Sequence, residues 1–240
     1  LVWNSTTTQI NQLLTEQSTT WLNLHDIFYP LANGEEFIWA SERSGYQHLY
    51  HYNLNGTLLN TLTSGQWVVT DLCRVCEESA TGIRVYFEGF MDTPLEKHLY
   101  CVDFNADPRP QRITKPGYFH STTFSTSYPY FIDHFSSTAT PPAVALRNLD
   151  GDTISDLAVN ELNEAHPYHP YLASRGIVSF GELEAEDGQT LHYRLIKPAH
   201  LKENEKCPAI VTVYGGPGVQ RVTNEWIPAW HHYMTQQGYA

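Results

Sequence analysis

His48-Leu49-Tyr50-His51-Tyr52-Asn53 decides the fold, because it returns fifty residues later as His98-Leu99-Tyr100-Cys101-Val102-Asp103. The neighbourhood returns with it. Leu62-Thr63-Ser64-Gly65-Gln66-Trp67 reappears loosely as Ile113-Thr114-Lys115-Pro116-Gly117-Tyr118, and a third, weaker copy runs through Ala143-Val144-Ala145-Leu146-Arg147 and Leu149-Asp150-Gly151-Asp152. Self-similarity at a fixed period of roughly 20–50 residues marks a repeat architecture in which each unit needs its neighbour to bury a face.

Each unit reads as short strands. Residues 37–40, 48–52 and 57–62 are apolar or β-branched runs separated by Asn33-Gly34, Ser44-Gly45 and Asn55-Gly56, and Asn-Gly is a strong hairpin signal. The second unit gives 84–90, 98–104 and 111–114, the third 122–125, 130–134 and 143–146. Repeated multi-strand units of this length are the signature of β-propeller blades. A β-sandwich is the rival, and it does not explain an echo with matched turn chemistry. About three blades fit in residues 1–158. Propellers typically need four to eight to close a ring, so the remaining blades are expected before Leu1 or from another chain.

After Leu157 the pattern changes. Residues 159–176 read as a linker. A hairpin follows, 177–184 and 190–197, turning at Glu186-Asp187-Gly188. Then Pro208-Ala209-Ile210-Val211-Thr212-Val213-Tyr214 forms a continuous apolar run that ends in Gly215-Gly216-Pro217-Gly218. Such a run suits a strand covered on both faces of an α/β sheet. Residues 226–237 have helical spacing with Gly238 as C-cap, and a new strand is expected to begin at Tyr239-Ala240. The expected fold is therefore mostly β: C-terminal propeller blades over 1–158, then the start of an α/β-hydrolase domain over 177–240.

Composition narrows the function. The 240 residues carry 14 Lys plus Arg against 26 Asp plus Glu, a formal charge of −12, which argues against nucleic acid or anionic lipid as a main partner. No apolar run approaches the roughly 20 residues of a membrane span. Cys73-Arg-Val-Cys76 has redox or metal spacing but no second pair, so the four cysteines read as ordinary half-buried residues.

The Gly-rich turn discriminates among three chemistries. It lacks both G-x-x-x-x-G-K-[ST] and G-x-G-x-x-G, so neither a phosphate loop nor a dinucleotide fingerprint fits. It fits the early loop of an α/β-hydrolase, where a donor after the third strand helps build the oxyanion hole. Tyr214 occupies that place. A tyrosine hydroxyl, ordinarily titrating near pH 10, is a neutral donor at pH 7; a strand-end tyrosine that caps its sheet is the equal alternative.

At this point the residues resemble a known family. Trp21-Leu22-Asn23-Leu24-His25-Asp26-Ile27-Phe28-Tyr29-Pro30, Ser41-Glu42-Arg43-Ser44-Gly45-Tyr46-Gln47-His48-Leu49-Tyr50, Leu62 to Trp67, Asp92-Thr93-Pro94-Leu95-Glu96-Lys97-His98-Leu99-Tyr100, Ser136-Ser137-Thr138-Ala139-Thr140-Pro141-Pro142 and 213–220 are similar, in order, to the dipeptidyl peptidase IV branch of the prolyl oligopeptidase serine peptidases. The likeness is closer to its dipeptidyl peptidase 8 and 9 subgroup and related bacterial enzymes. The resemblance implies a serine hydrolase that removes N-terminal dipeptides with Pro or Ala second, acting on peptide substrates, without cofactor, and as a homodimer at full length. It favours a cytoplasmic setting, with a periplasmic or secreted one left open. It puts Tyr214 on the family's oxyanion tyrosine. The Ser/Asp/His triad maps nowhere here, and no G-x-S-x-G occurs in residues 1–240. The amine-gripping Glu pair is expected before Leu1, so these 240 residues alone are expected to be inactive.

His25 and Asp26 are candidate substrate-facing residues, with turn chemistry inside the blade as the alternative. Glu42-Arg43 and Glu96-Lys97 read as surface or inter-strand ion pairs. His166/His169 and His231/His232 have metal-like spacing, but no carboxylate or Cys completes either set, so no metal is expected. A non-catalytic propeller scaffold of the same family remains the reading from a different class.

Overall fold

The computed structural model describes residues 2–4, 8–79, 82–104, 108–202, 204–216 and 218–240. A short antiparallel pair, β1 (Val2–Asn4) with β2 (Gln9–Asn11), precedes three four-stranded antiparallel sheets. The first sheet is β3 (Phe28–Pro30), β4 (Glu36–Ser41), β5 (His48–Asn53) and β6 (Leu58–Thr61). The second is β7 (Val69–Ser79), β8 (Gly82–Gly89), β9 (His98–Asp103) and β10 (Gln111–Arg112). The third is β11 (Phe119–Phe124), β12 (Tyr130–Ser136), β13 (Ala143–Asn148) and β14 (Thr153–Ala158). Each is a meander in chain order.

The two His-Leu-Tyr strands are β5 and β9, the third strand of different sheets. His48 lies opposite Ser41 and His98 opposite Gly89. Side chains alternate faces along a strand, so one strand serves two neighbours. Leu49 packs forward onto Val69, Val85, Phe87, Tyr100 and Val102 of the second sheet. Tyr50 and Tyr52 face back onto Leu13 and Leu14. One period later Tyr100 and Val102 face back and Leu99 and Cys101 face forward onto Phe131 of the third sheet. The sheets therefore stack face to face as blades. Each fully buried Leu or Phe in these seams contributes about 1.5–3 kcal/mol.

Hydrogen bonds repeat with the same period. Thr63 Oγ1 accepts the Leu49 amide at 2.9 Å and meets His48 Nδ1 at 3.0 Å; Thr114 Oγ1 accepts the Leu99 amide at 3.1 Å and meets His98 Nδ1 at 3.0 Å. The next blade is tied on by the amide of Val69 to the Gln47 carbonyl and, one repeat on, by that of His120 to the Lys97 carbonyl, both 2.9 Å. The third blade lacks the His/Thr pair on β13. It centres instead on buried Asp133, which takes His120 Nδ1 at 2.8 Å and Arg147 Nε at 2.7 Å.

A 3₁₀ turn (His169–Ser174) leads into the hairpin β15 (Ile177–Glu184) and β16 (Thr190–Lys197), whose bounds match those read from the sequence. Helix α1 (Ala229–Gln236) starts three residues later than its apolar spacing predicts. Pro228 is its N-cap in an extended conformation, while the Trp226 amide is bound to Ser136 Oγ and Ile227 is buried. Its end is a Schellman motif: Gly238 has φ 88°, its amide bonds the Thr235 carbonyl and that of Tyr239 bonds the Met234 carbonyl.

One expectation is overturned. Residues 208–214 form no strand covered on both faces; Val211 and Val213 are 87% and 78% exposed. Only the first rung of a parallel ladder exists: the Ala240 amide bonds the Pro208 carbonyl at 2.9 Å and the Ile210 amide bonds the Ala240 carbonyl at 2.8 Å. Among the described residues no strand flanks 211–214, so Val211 and Val213 have no sheet neighbour to pack on. The connection from this run through α1 to Ala240 is nonetheless a βαβ crossover in outline.

The repeated hydroxyl gives a stability prediction. Thr114→Val keeps shape but strands the Leu99 amide and His98 Nδ1, so it should lower stability by about 1–3 kcal/mol, with a matching loss for Thr63→Val. Denaturant melts of the two variants check this; an unchanged midpoint in both would contradict the assigned role.

Candidate functional site

Tyr214 stands at the end of the 208–214 run. Gly215 follows at φ 71°, a left-handed conformation that turns the chain away at little cost only for glycine. The Tyr214 ring is half exposed, packs against the Gly216 backbone and lies under the Arg221 guanidinium at 5.9 Å from the ring centroid. Among the described residues no hydrogen bond occupies its hydroxyl, which leaves the phenol an available donor. Pro217 lies outside the described residues.

The segment after this turn is docked on the propeller. The Asn224 amide bonds the Leu95 carbonyl at 2.7 Å. Its side chain donates through Nδ2 to Glu96 Oε1 at 2.9 Å and to the Gly117 carbonyl at 3.2 Å, and accepts through Oδ1 from the amide and hydroxyl of Thr138 at 3.1 and 3.2 Å. The partners fix its orientation, because an amide must donate and a carbonyl must accept. Gln220 Nε2 donates to the Pro94 carbonyl at 2.9 Å. Arg175 seals the rim: it donates to the Thr138 carbonyl and to His232 Nε2, and its guanidinium lies 4.0 Å over the Trp226 ring.

Of the two readings of the charged dipeptides, surface or inter-strand ion pairs, the inter-strand one holds for Lys97, and the partners lie outside each dipeptide. Glu96 and Lys97 do not form a surface pair. Lys97 bonds buried Glu88 at 2.5 Å, and Glu88 also holds Thr122 of the third blade. Glu96 accepts from His98 Nε2, the Gly117 amide and Asn224. Burial, the largest single influence, pushes its carboxyl up; the bonds from Asn224, Gly117 and His98 together outweigh it and hold the group below the usual range. Likewise Arg43 pairs with Glu16, while Glu42 accepts from Asn23. Neighbouring residues in a strand or turn point apart, so each found a partner elsewhere.

His25 and Asp26 line a cavity of about 620 Å³ with Glu16, Phe28, Trp39 and Glu42. The His25 ring sits 4.7 Å from that of Trp39, and its Nδ1 accepts the Ile27 amide at 3.2 Å. Glu16 is taken up by Trp39 Nε1, Ser41 Oγ and Arg43. An aromatic floor with a carboxylate rim suits a cationic group. Among the described residues no hydrogen bond or ring contact joins this cavity to Tyr214.

Two of the four cysteines, Cys73 and Cys101, are poor nucleophiles. Burial pushes the Cys73 thiol well up and raises Cys101 to about 11, so neither is a thiolate at neutral pH. Among the described residues no group of His, Cys, Asp or Glu is placed to hold a metal ion, and no helix is long and apolar enough to cross a membrane.

Residues 1–142 match the family model described as the dipeptidyl peptidase IV N-terminal region. Dipeptidyl peptidase 8 of Homo sapiens is 33% identical over 253 residues, covering 90% of this chain and 28% of that protein. Dipeptidyl peptidase 4 of Trichophyton tonsurans is 25% identical over 202 residues, covering 81% and 25% respectively. The crystal structure of Porphyromonas gingivalis dipeptidyl peptidase 4 superposes with a TM-score of 0.73 at 27% identity, over 88% of this chain and 29% of that one. The chain thus spans between 25% and 29% of the length of these relatives.

The docked segment carries a pH signature. His232 is buried and its Nε2 accepts from Arg175, so the neutral ring holds its proton on Nδ1. Burial, then Arg175, His231 and Arg194, push it down to about 4 from 6.5. The unfolded chain therefore takes up a proton below about pH 6.5 that the folded one refuses, and stability falls as pH drops from there toward about 4. Burial lowers His48 and His98 too, in the same sense. Thermal melts at pH 7 and pH 5 should show a smaller acid loss for His232→Gln than for the parent; identical losses would contradict this assignment.

Proposed function

Because the chain belongs to the dipeptidyl peptidase IV family, we propose that it is a segment of a serine-type dipeptidyl peptidase that releases N-terminal dipeptides with Pro or Ala in second place. In this reading residues 1–158 are propeller blades, 159–176 a linker and 177–240 the opening of the peptidase domain. The Ser/Asp/His triad comes from outside these residues, the substrates are peptides, and the full-length protein is a homodimer. His25 and Asp26 belong to the wall that faces the substrate.

The observation that carries the reading is the state of Tyr214. It follows a run that starts a parallel ladder, precedes a glycine in the left-handed region, and presents a hydroxyl with no partner among the described residues. In acyl transfer to a serine, the carbonyl oxygen of the scissile bond gains negative charge as the tetrahedral intermediate forms. A neutral phenol aimed at that position donates to the oxyanion more strongly than to the ground-state carbonyl, which lowers the barrier.

Tyr214→Phe in the full-length protein removes that donor and little else. The expected result is a fall in kcat of about 10²–10³-fold on an Ala-Pro chromogenic substrate, with little change in KM or melting temperature. Wild-type kcat in this variant would sink the oxyanion role. The isolated 240 residues should not turn the substrate over, since they hold no G-x-S-x-G and their Thr63–His48 and Thr114–His98 pairs are buried inside the blades, out of a substrate's reach.

A further inference from the structure

The second blade departs from the repeat at one position that matters to Tyr214. In the first blade Tyr46 lies two residues before His48, and His48 Nε2 bonds the Gly65 carbonyl at 2.9 Å. In the second blade the same place holds Glu96, which takes over His98 Nε2 at 3.2 Å and turns its other oxygen outward to Asn224. The loop from Asp92 to Lys97 thereby becomes a dock. It receives Asn224 by backbone and side chain, and Gln220 by side chain.

Asn224 is satisfied in full. Its two amide protons and both oxygen lone pairs have partners, from blade 2 (Glu96), from the turn after blade 2 (Gly117) and from the turn between β12 and β13 (Thr138). It therefore clamps one point of the later segment to two blades at once. Between the two anchors, Gln220 and Asn224, stands Arg221, whose guanidinium lies 5.9 Å from the centroid of the Tyr214 ring. A continuous line of contacts runs from the propeller loop through the anchored segment to the ring that bears the hydroxyl.

We propose that Asn224 is a positioning residue for Tyr214, and that the Glu96-bearing loop of the second blade sets where the Tyr214 hydroxyl points by holding residues 220–224. The inference rests on the oxyanion reading of Tyr214. The propeller is then part of the catalytic alignment as well as a screen around the substrate. Asn224 touches no reacting atom, so its loss leaves the donor present but poorly aimed. Misplacement by about 1 Å is enough to cost catalysis heavily.

The test is a double-mutant cycle in the full-length protein, with kcat and KM on an Ala-Pro chromogenic substrate. Asn224→Ala should lower kcat on the order of 10-fold with KM nearly unchanged. In the Tyr214→Phe background the same substitution should change kcat by less than about twofold, because residues acting through one another are not additive. Gln220→Ala removes two bonds of an exposed side chain, to the Pro94 and Val222 carbonyls, only the first of which reaches the propeller, and should show a milder loss with the same coupling even if Asn224→Ala folds poorly. An equal loss from Asn224→Ala in both backgrounds would overturn the proposal, marking a general structural role. A large loss for Tyr214→Phe beside wild-type kcat for Asn224→Ala and Gln220→Ala would also overturn it while leaving the oxyanion reading standing. Wild-type kcat for Tyr214→Phe would remove that reading and this proposal with it.

Discussion

The hydroxyl of one threonine in each of the first two blades is the constraint on which the rest depends. Thr63 and Thr114 each accept the amide that opens the third strand and meet a fully buried histidine. The pair fixes where the fourth strand ends and hence where the chain crosses to the next blade. Trp67 fills the first crossover, edge-on to His48 at 4.8 Å and stacked near Phe87 at 6.0 Å. The Val69 and His120 amides then land on equivalent carbonyls. Both ring nitrogens of His48 have uncharged partners in a buried site, so the neutral ring is the favoured form.

From this unit the functional arrangement follows by a single substitution in the repeat. A carboxylate in place of Tyr46 needs donors, since a buried charge without them is costly. Glu96 finds one in its own blade (His98), one in the following turn (Gly117) and one from the later segment (Asn224). Arg175 answers on the far side of the same seam, with burial lowering its pKa and Trp226 beneath it. Residues 220–227 are thus held by blades 2 and 3 on one side and by Arg194 of β16, which donates to the Thr223 carbonyl, on the other, while Val211 and Val213 stand largely free.

How much of this is legible in the sequence follows from what each residue faces. The third strands can be read directly, because both of their faces are buried and the same residue types recur. The outer strands of the blades are harder. In β7, Asp71, Arg74 and Glu77 interrupt the apolar residues, and every residue of β14 is exposed, so neither carries a clean alternation. The run at 208–214 promises more than it delivers, since β-branched residues signal a strand whether or not neighbours are there to cover it. Asn224 leaves no signal of its own; its trace is the break in the echo at Glu96, which looks like a charge beside a charge. Tyr214 is singled out by the turn after it, but the anchors of the segment that follows, at Leu95, Glu96 and Thr138, lie far back in the chain.

The most direct measurement is hydrogen exchange on the protein, comparing peptides over 223–227 with those over 210–214. Docking through the Leu95 carbonyl and Ser136 hydroxyl predicts that the amides of Asn224 and Trp226 exchange slowly, with the blade amides of Leu49 and Leu99, while Val211 and Val213 exchange fast. Exchange at Asn224 and Trp226 as fast as at Val211 and Val213 would contradict the account, because the later segment would then not be held by the propeller.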